Sequence, residues 1–456
     1  MRSLVILFSA YFWLHLTYFF VKDSINKKEY IIQYTMLSLE ASMVLLGGIL
    51  STFVVHPRSL FLFSIASFAV GFSFYLNPSQ FFIKMGIICV AIAYGLFKFL
   101  FIVIILDQKP EGCLKFKLGM WAITQNAAEL CYVTASKYLS FAVLVIPSYF
   151  VSGIVIYGVL SETITIESKL INIVIFIRKL SQSERALTGE DKDIIVSISK
   201  SVIIWFLLIA YALCDSQILY SYEHQSKCLK HLGENIIIKK YWPSVVDCTS
   251  TIIIMAVILV AYHKNVFGLQ RLYKNMQLKV ILGNILMIVA VFFCAALETI
   301  RLNSDTSTEA EKILMTESPT TKISKLSVLW MIPYIILGII SEILAVLTCY
   351  EYIYLHSTEY TKFMSNAFIS SLICTGCIPD VVFMVVNSNY LDLEACIPKR
   401  RSPSIGNLSK YEYLIYSLGA LATVSLFVSI FMMKRFQVYF STTKHYQNLA
   451  ESGNLP

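Results

Sequence analysis

Apolar runs of about 20 residues, the length that carries an α-helix across a bilayer core, recur along the whole of this 456-residue chain. They fall at 3–21, 31–55, 59–77, 82–106, 118–135, 139–160, 199–220, 244–263, 279–299, 328–354, 364–387 and 412–433, twelve in all. The run at 118–135 is the most diluted, by Thr124, Gln125, Asn126 and Glu129. The runs are apolar throughout rather than alternating, which excludes an outer-membrane barrel. The first run lacks the basic flank and small-residue cleavage site of a removable signal, so it reads as a span.

The longest polar interruption, 161–198, lies between the sixth and seventh runs and holds Arg178-Lys179 and the stretch 183–193. The pattern predicts an all-α membrane protein of the major facilitator fold, with twelve transmembrane helices in two six-helix bundles. The expected divisions are 1–162 for the first bundle, 163–198 for a cytoplasmic linker, 199–434 for the second bundle and 435–456 for a cytoplasmic tail.

Composition narrows the reading. Hydrophobic residues make up 57% of the chain and charged residues 14%, against about 25% charged in a soluble domain. With a mean hydropathy of +0.68, too little polar sequence remains to clothe a single core, so soluble enzymes, disordered regulators and disulfide scaffolds are excluded. The net charge of +8 is spread over many loops and makes no nucleic-acid patch. Lys and Arg divide almost evenly between the two sides and barely set an orientation. The sequon Asn407-Leu-Ser409 favours a cytoplasmic N-terminus, and the plasma membrane is the expected location. Most of the 11 cysteines, among them Cys89, Cys131, Cys214, Cys294 and Cys349, fall inside runs as small apolar fillers. Cys374 and Cys377 form a C-x-x-C with no second pair beside it. No metal site, cofactor or phosphate-binding glycine loop is expected, and no enzyme chemistry.

The charges inside the runs carry the functional argument, because a charge at mid-bilayer costs about 2.5–3.5 kcal/mol. Among them are Glu40, Lys98, Glu129, Asp215, Glu298, Glu342, Glu351 and Asp380. Glu298 and Glu351 lie near helix ends. Lys98 stands roughly 13 Å from the inner end of its helix, a distance that snorkelling covers in part. Glu342 has no cation within a turn on either side. A buried cation and a buried anion from opposite halves suit a zwitterion, whose ammonium and carboxylate each need a counter-charge away from water. Amino acids, peptides and other small zwitterions all satisfy that requirement.

The tenth run brings in a resemblance. Trp330, Pro333, Gly338, Glu342, Glu351 and Tyr354 reproduce a W-x-x-P motif followed by glutamates nine and eighteen residues after the proline. Gly95, Lys98, Asp107 and Gln108 reproduce a G-x-x-K followed by D-Q, and Tyr211-Ala-Leu-Cys-Asp215-Ser-Gln217 loosely follows W-A-L-F-D-Q-Q. In these features the chain resembles the proton-dependent oligopeptide transporter family. The E-x-x-E-R-F-x-Y-Y-G signature of that family's first helix is missing, as though the chain started just after it.

The resemblance implies a secondary active transporter of di- or tripeptides, coupled to protons and working by alternating access in the lipid bilayer. It implies that Glu342 holds the peptide amino terminus and that Lys98 meets the peptide carboxylate and takes part in proton coupling. The stretch Met120-Trp-Ala-Ile-Thr-Gln125-Asn126-Ala-Ala128 resembles the family's fifth-helix F-Y-x-x-I-N-x-G-S in outline, which implies that Gln125 or Asn126 supplies a polar contact in place of its asparagine. Asp215 is expected to close an outer gate against Arg2, and Glu351 to belong to inner-gate or packing contacts. Glu40 matches nothing in the family pattern and is either a replacement proton acceptor or a buried structural acid. The competing expectations are an uncoupled or differently selective transporter, for amino acids, nitrate or another small solute, and a non-transporting membrane sensor or scaffold.

Overall fold

The computed structural model describes residues 2–24, 30–77, 79–108, 114–135, 141–166, 169–172, 175–176, 179, 188–229, 236–263, 276–303 and 326–372, with helical positions between 419 and 430. The first half contains α1 (Arg2–Ser24), α2 (Tyr30–Phe53), α3 (Pro57–Tyr75), α4 (Gln80–Asp107), α5 (Leu114–Ala135) and α6 (Phe141–Leu160). The second contains α7 (Gly189–Cys228), α8 (Ile236–His263), α9 (Met276–Asn303), α10 (Ile332–His356) and α11 (Lys362–Ser370). Seven of the described helices are long and apolar enough to cross a membrane. Each of the first ten apolar runs lies largely within one of these helices, and the diluted fifth run is helical throughout.

Two boundaries have visible causes. α7 begins at Gly189, inside the segment 163–198, because Thr188 and Asp191 form a capping box there. Ile194 then packs with Ile171 and Phe176, which gives the added turns an apolar face. α10 is entered through a 3-10 turn, Val328–Met331, capped by Ser327, with Pro333 in the first turn of the helix, where its missing N–H costs nothing.

α4 is the axle of the first half. It is apolar on all sides and buried continuously from Ala93 to Leu106, the pattern of a helix surrounded by other helices. Gly95 makes this possible on one side: a Cβ there would collide with the Glu40 carbonyl, so α2 and α4 cross backbone to backbone. Within the halves, α3 packs on α4, α1 on α5 and α6, and α9 on α7 and α10. Between the halves, the main contacts are α2 with α11 and α5 with α8. Replacing each helix by the one six further along exchanges these two interfaces, the signature of two structural repeats. Gly48 of α2 lies so close to Ala367 of α11 that a Cβ there would collide with it.

Candidate functional site

The candidate site draws on α1, α2, α4 and α5 of the first half and on acids of α7, α8 and α10 of the second, where α5 packs on α8 and touches α10. Its centre is Lys98, 8% exposed, on the last third of α4. The Lys98 Nζ lies 3.5 Å from Glu40 Oε1. The other Glu40 oxygen accepts a hydrogen bond of 2.7 Å from the Tyr18 hydroxyl. Tyr18 stacks on Tyr94 with ring centroids 3.8 Å apart, and the Tyr94 hydroxyl lies 2.6 Å from His15 Nδ1. Tyr11 extends the same face of α1, stacked on Phe101 and donating 3.1 Å to Gln125 Oε1 on α5. Three helices thus converge on one lysine.

The second half answers with acids. Glu342 on α10 is accessible to solvent, and Lys98 is the cation whose charge bears on it. Asp215 on α7 lies in the field of both Glu342 and Lys98, with the Tyr211 hydroxyl 3.5 Å from its Oδ1. The charges of Glu342, Glu129 and Asp215 bear on Asp247 of α8, and those of Lys22 and Glu342 bear on Glu129 of α5. The ion pairs of the described residues leave Glu129, Asp215, Asp247 and Glu342 out. Four carboxylates, Lys98 and Lys22 thus make up one polar region, each within electrostatic reach of at least one other.

One end of this region is latched. At the C-terminus of α4, Asp107 accepts a hydrogen bond of 2.8 Å from Tyr354 of α10 and pairs with Lys362 of α11. Lys117 caps the same helix end, donating to the carbonyls of Leu106 and Gln108, a cation placed on the negative end of the helix dipole. Glu351, 4% exposed, lies 3.6 Å from Lys115 of α5 and 3.9 Å from Lys279 of α9. Beside it, Lys115, Glu351, Thr348 and apolar residues of α5, α8 and α10 line a small cavity of about 40 Å³. On the solvent side of the latch, the linker residue Lys169 meets Glu359 at 3.0 Å, and this carboxylate raises the affinity of Lys169 for its proton.

The residues singled out from the sequence are distributed as follows. Lys98 lies within electrostatic reach of Glu342 and Asp215, and Gln125 accepts a hydrogen bond from Tyr11. Asn126 donates 2.9 Å to the Ala122 carbonyl of its own helix. Glu351 stands at the latch, two and a half turns beyond Glu342. Glu298 is held by Arg301 through bonds of 2.9 and 2.6 Å on α9. The side chain of Arg2, Asp380, the Cys374–Cys377 pair, Asn407 and the tail 435–456 lie outside the described residues. Among the described α1 residues, the cation coupled to Glu129 and His15 is Lys22. No group of three His, Cys, Asp or Glu positioned to hold a metal ion occurs among the described residues.

Several residues of the site escaped the sequence reading. Tyr11, His15 and Tyr18 carry no signal in a chain with 27 Tyr and 30 Phe. Asp247 sits at the polar margin of its run and stands out only once α8 is packed against α5. Asp107 was visible as part of a motif, whereas its partner Lys362 lies 255 positions away.

No protein-family model matches the sequence, and no curated protein matches it. Solved structures do match. The chain is similar to an auto-inhibited POT family peptide transporter, with TM-score 0.65 and 13% identity over 95% of this chain and 97% of that one. It is similar to the POT family transporter PepTSo, with TM-score 0.61 and 14% identity over 96% and 98% of the two chains. A POT family transporter in complex with a thioalcohol-conjugated peptide matches with TM-score 0.61 and 12% identity over 96% and 97%. The chain is a multi-pass membrane protein with the major facilitator fold of these transporters, the family that the motifs of its tenth and fourth runs resemble.

Proposed function

We propose that the protein is a secondary transporter of di- and tripeptides that works by alternating access between its two halves. The reading is carried by one observation: Lys98 of the first half and the solvent-accessible Glu342 of the second lie within electrostatic reach of each other. A peptide fits that polarity. Its amino terminus would meet Glu342, with Asp215 and Asp247 reinforcing the negative side, and its carboxylate would meet Lys98. Each charge leaves water only when an opposite charge replaces the hydration it loses. Gln125, oriented by Tyr11, is a polar contact between the two poles. The structural neighbours named as peptide transporters support the same substrate class.

Solvent access to Glu342 and burial of Glu351 on the same helix support an outward-facing state, closed at the end that bears the latch. With the N-terminus inside, that end is cytoplasmic and the plasma membrane is the host. Alternating access then requires the pairs Asp107–Lys362 and Glu351–Lys115 to separate as the halves rock. Lys98 and the acids around it are the groups available to carry a proton through the cycle.

Purified protein reconstituted into vesicles tests the reading. Labelled dialanine should accumulate when the outside is made acidic. Uptake that ignores an imposed pH gradient rejects coupling and leaves a uniporter or exchanger. Binding without any uptake rejects transport and favours a sensor.

A further inference from the structure

Lys98 is not an open cation waiting for a ligand. It already faces a carboxylate of its own half, on a helix where the family pattern has no matching acid. Glu40 is 3% exposed, and both of its oxygens are engaged, one by Lys98 at 3.5 Å and one by Tyr18 at 2.7 Å. The two contacts differ in kind. The bond from Tyr18 has full hydrogen-bond geometry, while 3.5 Å is longer than the roughly 2.7–2.9 Å of a tight charge-assisted bond between ammonium and carboxylate. Tyr18 therefore holds Glu40 in place, and the contact with Lys98 is a slack electrostatic one.

The backbone enforces this arrangement. Gly95 lets α2 approach until the Glu40 carbonyl lies against it, and Lys98, three residues on, projects from the same side of α4. Tyr18 is fixed in turn by its stacking on Tyr94, whose hydroxyl is tied to His15. Lys98 also lies 5.9 Å from the centre of the Tyr94 ring, so the ammonium has a second electron-rich neighbour as it moves between partners.

We infer that Glu40 is a specificity-determining residue: a built-in carboxylate that competes with the substrate's own carboxylate for the Lys98 ammonium. The inference rests on the peptide reading of the site and deepens it. A ligand with a free carboxylate must displace Glu40 from Lys98 to be held. A ligand whose carboxyl end is blocked engages only the acids opposite and leaves the Glu40–Lys98 contact alone. A merely structural ion pair would make no such distinction between ligands.

The test measures binding of Ala-Ala and of its C-terminal amide to the purified full chain, by calorimetry. In Glu40→Gln, Ala-Ala should bind about tenfold tighter, because the internal competitor is gone, with the amide unchanged. Tyr18→Phe, which loosens Glu40 without removing it, should shift Ala-Ala in the same direction by a smaller factor and leave the amide unchanged. If Glu40→Gln does not fold, the Tyr18→Phe comparison decides alone. Equal changes for the two ligands, or no change for either, overturn the inference and make the pair structural while leaving the peptide reading intact. Wild-type protein that binds neither ligand removes the peptide reading and the inference with it.

Discussion

A charge inside an apolar run advertises itself, and its partner does not. Lys98 and Glu342 are legible from the sequence because each interrupts a run where a charge costs about 2.5–3.5 kcal/mol. Glu40 is equally legible as an anomaly, but nothing in the sequence says that it meets Lys98, 58 positions away, rather than the acids of the other half. The aromatic and histidine side chains that finish the site are invisible for the opposite reason: Tyr11, His15 and Tyr18 are ordinary in so aromatic a chain. Glu342→Gln should abolish dialanine uptake with insertion and expression retained; transport at the wild-type rate would remove Glu342 from the site. Lys98→Ala should lower gradient-driven uptake more than peptide exchange. Equal loss in both modes would assign Lys98 to binding or folding instead of coupling.

Elements follow their apolar periodicity closely in extent, and less closely at their ends. The run that begins at residue 199 becomes a helix from Gly189, because a local capping box and an apolar cluster with the linker add turns that hydropathy does not register. How the helices cross depends on single small residues. At Gly95 the α2 backbone occupies the space of a side chain, and at Gly48 Ala367 does the same across the halves. Gly95→Val should therefore push α2 from α4 and cost about 1–3 kcal/mol by overpacking. The measurement is a thermal unfolding midpoint in detergent, which should fall, with dialanine affinity falling too because Glu40 and Lys98 move apart. An unchanged midpoint would mean that α2 gives way beside Gly95 at no cost to the fold.

At the scale of the molecule, the two halves meet at a latch of ion pairs and one tyrosine hydrogen bond. Asp107 ties α4 to α10 and α11, and Glu351 ties α10 to α5 and α9. Removing one partner of such a buried pair leaves the other charge uncompensated, so the closed end should open. Asp107→Asn is expected to raise the labelling of a Thr348→Cys reporter, in the cavity beside Glu351, by a membrane-impermeant maleimide from the latched side. Labelling as slow as in the reporter alone would show that the latch does not hold this end shut.

Hydrophobic periodicity determines from the sequence alone that the chain is helical and crosses the membrane many times, because a backbone in lipid must satisfy its own hydrogen bonds. The same periodicity marks out the charges that need a reason. Pairing is another matter. That Lys98 meets Glu40 within its own half and that Asp107 reaches Lys362 were decided by the tertiary structure. Contacts of this kind depend on helix rotation and on close backbone approach at a few glycines, and neither leaves a pattern along the chain.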